Sequence, residues 1–174
     1  RGTESAPLIP INGDDDKDKD ISTSEMLVSN SSLTLDDFYP SVAIATLMRI
    51  IRDPTLSQHH HTVVQAVVYI FKSLGIKAVP YISQVIPSMM TVIRTSDNTF
   101  RDFLFGQLGT LIQIVKQHIR NYLDDIFVLI KEFWTADSPL QSTIILLVEA
   151  IAMALGSEFK IYLPQLVPHI LRVL

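Results

Sequence analysis

An all-α chain of stacked helical pairs is predicted by three observations. A pattern recurs about every 40 residues, apolar positions within each unit fall at three- and four-residue spacing, and helix breakers punctuate the units at matching places. The period is read from stretches that align on tyrosine: Tyr81-Ile82-Ser83-Gln84-Val85-Ile86-Pro87, Tyr122-Leu123-Asp124-Asp125-Ile126-Phe127-Val128 and Tyr162-Leu163-Pro164-Gln165-Leu166-Val167-Pro168. The offsets are 41 and 40, and seven positions before each tyrosine stands Leu74, Val115 or Leu155, followed twice by glycine (Gly75, Gly156). A further stretch, Phe38-Tyr39-Pro40-Ser41-Val42-Ala43-Ile44, lies 42 before Tyr81 with its apolar positions slipped by one. Two helices per unit of this length point to HEAT-type repeats, with armadillo repeats the near neighbour. The expectation is an α-α superhelix of about three and a half helical pairs with a disordered N-terminal segment.

Residues 1–35 are expected to form an acidic disordered linker or loop. Residues 1–37 hold three basic residues against nine acidic ones, with the run Asp14-Asp15-Asp16-Lys17-Asp18-Lys19-Asp20 at their centre. Like charges so close repel, and there is little apolar surface to offset ordering. An acidic interaction tail, or phosphorylation near Ser22-Thr23-Ser24-Glu25, is the functional alternative to a solvated linker.

Residues 36–174 are read as the repeat array. A leading helix spans 37–52, and pairs follow at 59–94, 99–134 and 139–174, divided as 59–75/79–94, 99–116/119–134 and 139–155/159–174. Val63, Ala66, Val67, Ile70, Phe71 and Leu74 share one face. Val64 and Val68 make the other side apolar, which suits a helix held between two neighbours. Phe103, Leu104, Leu108, Leu111, Ile112 and Val115 repeat the pattern, and so do Ile144, Ile145, Val148, Ile151, Ala152 and Leu155. Breaks fall at Asp53-Pro54, Gly75, Asp97-Asn98, Asp137-Ser138-Pro139 and Gly156-Ser157, where helices start or stop. Pro87 and Pro168 sit at equivalent places in second helices, which are expected to kink or start late. Gly106 and Gly109 weaken their helix by about 1 kcal/mol each, and close helix packing is the expected reason. Both ends of such an array should expose apolar faces made for flanking repeats.

Composition narrows the function. Of 174 residues, 48% are hydrophobic, 18% are charged and none is cysteine. A wholly disordered chain, a disulfide scaffold and a cysteine-based zinc site are excluded. Mean hydropathy is +0.30, which invites a membrane reading. The apolar run from Ile144 to Leu155 is interrupted by Glu149 and falls short of the roughly 18 residues a span needs. Residues 38–174 carry eleven basic residues, spread singly, against nine acidic ones, unlike a nucleic-acid surface. The chain begins at Arg1 and is expected to be a section of something longer.

Candidate chemistry is sparse. His59-His60-His61 is the one cluster resembling a ligand set, but adjacent residues on a helix point about 100° apart. A helix-start surface cluster is therefore preferred to a metal site, and a metal-dependent enzyme built on it is the third reading considered. His118 and His169 stand alone, Asp124-Asp125 diverge on a helix, and Phe133 and Trp134 read as packing. No catalytic, cofactor-binding or metal-ligating residue is assigned.

The wording of the repeats carries a resemblance. Tyr39-Pro40-Ser41-Val42-Ala43-Ile44-Ala45-Thr46-Leu47-Met48-Arg49, Asp53-Pro54-Thr55-Leu56-Ser57-Gln58-His59-His60-His61, Ile70-Phe71-Lys72-Ser73-Leu74-Gly75, Gln141-Ser142-Thr143-Ile144-Ile145-Leu146-Leu147 and Ala154-Leu155-Gly156-Ser157-Glu158-Phe159-Lys160 resemble the middle HEAT-repeat region of the target-of-rapamycin (TOR) kinases. Tyr162-Leu163-Pro164-Gln165-Leu166 adds to it. The resemblance covers roughly 36–174, departs from the vertebrate wording between about 77 and 100 and around 131–138, and leaves the opening 35 residues unplaced. It implies a segment of a large serine/threonine protein kinase that couples nutrient and growth-factor signals to cell growth. ATP and magnesium would belong to a kinase domain outside these residues, so no cofactor is expected here. The resemblance further implies a scaffold that meets flanking HEAT repeats, Raptor- or Rictor-like subunits and a second kinase copy. It places the protein in the cytosol with peripheral association to endomembranes such as the lysosome, and without membrane insertion. A HEAT-repeat adaptor of another class, such as a transport receptor or phosphatase scaffold, is the alternative.

Overall fold

The computed structural model describes residues 35–174. The expectation of disorder over 1–35 falls, Leu35 apart, outside the described residues. The chain divides into two compact units, Arg1–Tyr39 and Pro40–Leu174. Of the first, only the opening turn of one helix is described; the repeat array belongs to the second.

Seven α-helices occupy the described residues: α1 Leu35–Ile51, α2 Ser57–Leu74, α3 Ile82–Thr95, α4 Asn98–Val115, α5 Leu123–Phe133, α6 Gln141–Leu155 and α7 Leu163–Val173. They form an all-α helical-repeat array in which α1 leads the pairs α2/α3, α4/α5 and α6/α7. α4 packs on α2, α3 and α6, and α5 packs on α7. Two-sided burial follows for α4, where Leu104, Phe105, Leu108, Leu111, Ile112 and Val115 are fully enclosed. A helix apolar on both sides is stable in water only under such cover.

Helix starts follow from side chains that accept the free N–H groups of a first turn. Asp97 Oδ1 accepts from the Phe100 N–H at 2.8 Å at the start of α4. Asp53 accepts from the Thr55 N–H at 2.9 Å and from its hydroxyl at 2.6 Å, ahead of a 3₁₀ turn at Pro54–Leu56 that leads into α2.

Each pair turns through the same device. Gly75, Lys116 and Gly156 have φ of 59°, 53° and 60° with ψ of −130°, −129° and −130°, and each N–H closes the last bond of its helix. A seven-residue 3₁₀ segment then leads to the second helix: Gly75–Tyr81, Lys116–Tyr122 and Gly156–Tyr162. These segments end on the three aligned tyrosines, so the tyrosine marks the start of the second helix. The backbone angles are those of the first central residue of a type II′ turn, a place glycine takes freely and side chains resist. Lys116 occupies it without that freedom.

Two expectations change. The second helices do start late, at 82, 123 and 163, but α5 does so without a proline at the position of Pro87 and Pro168. The 3₁₀ turn of the repeat, not the proline, sets the delay. Gly109 and Gly106 do lie against α6, yet a Cβ at Gly109 would meet Ala150 Cβ and Leu147 Cδ1 at 3.9 Å, and one at Gly106 would meet Thr143 Cγ2 at 4.0 Å. Those are ordinary contact distances, so packing leaves room for alanine.

The membrane reading also needs correction. The continuous helical run Pro54–Thr95, not Ile144–Leu155, is long and apolar enough by length and composition to match a membrane span. It is two α-helices folded back at Gly75–Tyr81: Ser57 and His60 at the start of α2 line the same groove as Thr91 and Thr95 at the end of α3. Its apolar residues Val64, Val68, Phe71, Ile86 and Ile93 are buried in the core shared with α4.

Lys116→Gly is expected to stabilise the protein by about 1 kcal/mol, and Gly75→Ala or Gly156→Ala to destabilise it by about 1–2 kcal/mol. Neither alanine meets an atom within 4 Å, so urea midpoints would report the backbone cost alone. Gly109→Ala should raise stability by about 0.5–1 kcal/mol. A loss there would mean that the two helices approach more closely than described.

Candidate interaction surfaces

The histidine cluster is divided among three environments. His60 is buried, and its Nε2–H donates to the carbonyls of Ile50 and Asp53, both at 3.0 Å. His61 stacks on Phe103 with ring centroids 4.0 Å apart, while His59 is exposed beside Gln58. The surface-cluster expectation is thus wrong for His60, which works inside the fold. Among the described residues no three of His, Asp or Glu converge as metal ligands.

His60 is one of a set that sequence reading passed over. Its equivalents at offsets of 41 and 40 are Arg101 and Gln141. Arg101 Nε donates to the Ile93 carbonyl at 2.7 Å and its Nη2 to the Arg94 carbonyl at 3.3 Å. Gln141 Nε2 donates to the Thr135 carbonyl at 2.8 Å. In each case a side chain near the start of a first helix bonds to carbonyls at or just beyond the end of the preceding helix; those of Ile50, Asp53 and Thr135 also accept a backbone N–H, from Asp53, Leu56 and Ser138. Arg101 also lies over the Phe133 ring, 4.2 Å from its centroid, and brings a cation to the negative end of α3.

Further polar contacts cross from one unit to the next. Arg120 pairs with Glu158 in a bidentate contact at 2.8–3.0 Å, and Arg94 meets Glu132 at 3.4 Å. The Trp134 indole N–H donates to the Ile170 carbonyl at 3.2 Å, His169 Nε2 to the Lys131 carbonyl at 3.1 Å, and Thr143 Oγ1 to Asp102. Trp134 is buried as expected, and Phe133 meets Phe105 edge to face. Asp124 and Asp125 are exposed in the first turn of α5, where the helix dipole favours them, and His118 is exposed.

A groove of about 1010 Å³ opens between the ends of α1 and α3. Its titratable side chains are Arg52, His60 and Asp97. Arg52 Nε donates to Ser88 at 3.2 Å, His60 holds the two carbonyls, and Asp97 caps α4. All three are engaged in holding helix ends.

Stacked pairs joined by a repeated contact define a segment of a helical-repeat protein. Comparison with known proteins makes this specific. The family model described as the serine/threonine-protein kinase mTOR domain matches residues 4–116, and the chain belongs to that family. The match begins well ahead of residue 36, so the opening stretch shares in the likeness. The chain is 60% identical over 91% of its length to the serine/threonine-protein kinase mTor of Drosophila melanogaster. It is 41% identical over 83% to the serine/threonine-protein kinase TOR of Arabidopsis thaliana, and 42% over 86% to TOR2 of Saccharomyces cerevisiae. It spans about 6% of the length of each.

His60→Ala is expected to cost about 1–3 kcal/mol, because a buried side chain is lost together with two bonds that tie α2 to the end of α1. His60→Gln, the residue type used at position 141, should recover part of it in urea unfolding. Equal losses would remove the shared role. The Asp53 carboxyl is held below the ordinary carboxylate range by the Thr55 hydroxyl and then by the Thr55 N–H. A depressed folded pKa stabilises above the unfolded value and loses that contribution as pH falls through the folded one. Below about pH 4, Asp53→Asn should therefore flatten the pH dependence of stability.

Proposed function

We propose that this chain is a non-catalytic HEAT-repeat scaffold segment of a TOR-type serine/threonine protein kinase that controls cell growth in response to nutrients. The observation that carries the reading is the run of equivalent joints, His60, Arg101 and Gln141, in a chain of this family. The chemistry of these joints holds helices to helices and leaves the outer faces free for partners. On this reading the phosphoryl-transfer chemistry, with ATP and magnesium, belongs to a kinase domain elsewhere in the polypeptide. Flanking HEAT repeats, Raptor- or Rictor-like subunits and a second kinase copy are the partners. The setting is the cytosol with peripheral association to endomembranes such as the lysosome. Family membership favours this over an adaptor of the transport-receptor or phosphatase-scaffold class.

Removing the two pairs 98–174 in register from the full-length kinase should leave the ATP affinity of its kinase domain unchanged. Co-purification of Raptor- and Rictor-like subunits, or of the second kinase copy, should fall. If all three associations persisted at wild-type levels, the scaffold role would be lost.

A further inference from the structure

The groove between the ends of α1 and α3 holds an arginine whose counterpart one unit on has a carboxylate partner. Arg52 and Arg94 each stand 13 residues after an aligned tyrosine, Tyr39 and Tyr81. Arg94 meets Glu132, which lies 10 residues after Tyr122. Ten residues after Tyr81 stands Thr91, whose hydroxyl is spent on the Pro87 carbonyl at 3.1 Å. Arg52 and Thr91 both line the groove, so the carboxylate that the next joint draws from its own helix has no equivalent here. Among the described residues Arg52 has no acidic partner, and only its Nε is engaged, donating to Ser88 at 3.2 Å.

The surroundings keep that arginine in place. His60 donates to the carbonyls of Ile50 and Asp53, on either side of Arg52, and so fixes the main chain that carries it. Ser88 is 8% exposed, and its hydroxyl proton has no acceptor among the described residues. Both Nη groups of Arg52 and this hydroxyl therefore remain to donate to an oxyanion, and a guanidinium fork matches a carboxylate. The nearby walls are apolar: Ile51, Pro54, Pro87, Val92 and Phe100. A groove of about 1010 Å³ with apolar walls and a few convergent donors has the form of a small-molecule site. Along α3 the hydroxyls of Thr91, Thr95 and Ser96 are spent on carbonyls of their own helix. The charged donor thus stands at the α1 end, the pattern of a single head group rather than of peptide main chain. Asp97 is the one carboxylate of the lining and caps α4, so the lining offers one cation against one fixed anion. That balance suits a single negative charge and disfavours the two of a phosphate. We infer that this groove binds a small organic monocarboxylate, its head group on the Arg52 guanidinium and the Ser88 hydroxyl and its apolar body against Pro87, Val92 and Phe100.

Saturation-transfer NMR on the full-length polypeptide tests this with two acids, phenylbutyrate and octanoate, and with the neutral phenylbutanol. Both acids should bind and compete with each other, and the alcohol should bind more weakly by about tenfold or more. Arg52→Gln should weaken the acids by about the same factor, while Arg94→Gln leaves them unchanged. Thr91→Glu should abolish acid binding, because it places on α3 the carboxylate that Glu132 supplies on α5. This variant keeps Arg52 and adds an ion pair, so it reads the site without removing a contact of the fold. Failure of both acids to bind would overturn the assignment, including the case in which a peptide segment or a subunit already fills the groove. Equal binding of acid and alcohol would do the same, as would acid binding that survives both Arg52→Gln and Thr91→Glu. Phenylbutyl phosphate binding more tightly than phenylbutyrate would overturn the choice of a carboxylate.

Discussion

The fold depends on how the start of each first helix is tied to main chain at the end of the preceding helix, where one unit meets the next. A helix end leaves several carbonyls without intrahelical partners, and burying them unbonded costs about 1–3 kcal/mol each. At two of the three joints the carbonyls reached also accept a backbone N–H, from Asp53 and Leu56 or from Ser138, so the side chain there adds a tie between units rather than filling a vacancy. His60, Arg101 and Gln141 supply the tie from a single repeat position, each reaching back from the start of a first helix. The bond fixes where the first helix begins relative to the preceding second helix, and hence how the apolar faces come into register. Apolar burial supplies most of the stability, but it has little direction of its own. The donor gives it one.

The salt bridges between units do less. Arg94–Glu132 and Arg120–Glu158 have side chains 40–48% exposed, where solvent screens the attraction and exposed pairs are worth about 0–1 kcal/mol. Their use is in register, since each spans 38 residues and tolerates no slip of one unit against the next. Trp134 and His169 contribute differently: each bonds a backbone carbonyl across the α5–α7 contact, so the joint is tied to main chain.

Much of the array was legible in the sequence, for a physical reason. Tyr81, Tyr122 and Tyr162 end identical 3₁₀ turns, and Gly75 and Gly156 stand where φ is positive, so the backbone demands the same residue types again. Where geometry demands only a function, the signal is lost. The joint donor is His, then Arg, then Gln, alike only in offering an N–H, and no pattern of letters connects them. His60 was further hidden by His59 and His61, which share its identity but not its surroundings. Lys116 shows the converse: the turn requires positive φ there, yet the letter gives no sign of it.

Equivalent positions therefore need not make equivalent joints. Gly109 faces Ala150 and Leu147 of α6, where an added Cβ would make ordinary contact at 3.9 Å. Arg101 and Phe133 add a stacked cation to the same joint, while the joint before it is held through the smaller imidazole of His60. Differences of this size change the rise and rotation from one pair to the next while the core pattern stays the same. In a helical-repeat protein such increments accumulate along the array, so the placement of distant surfaces is set by a few residues at the joints rather than by the surfaces themselves. In this array the residues that differ from joint to joint, His60, Arg101 and Gln141 above all, are the ones that set how each pair sits on the last.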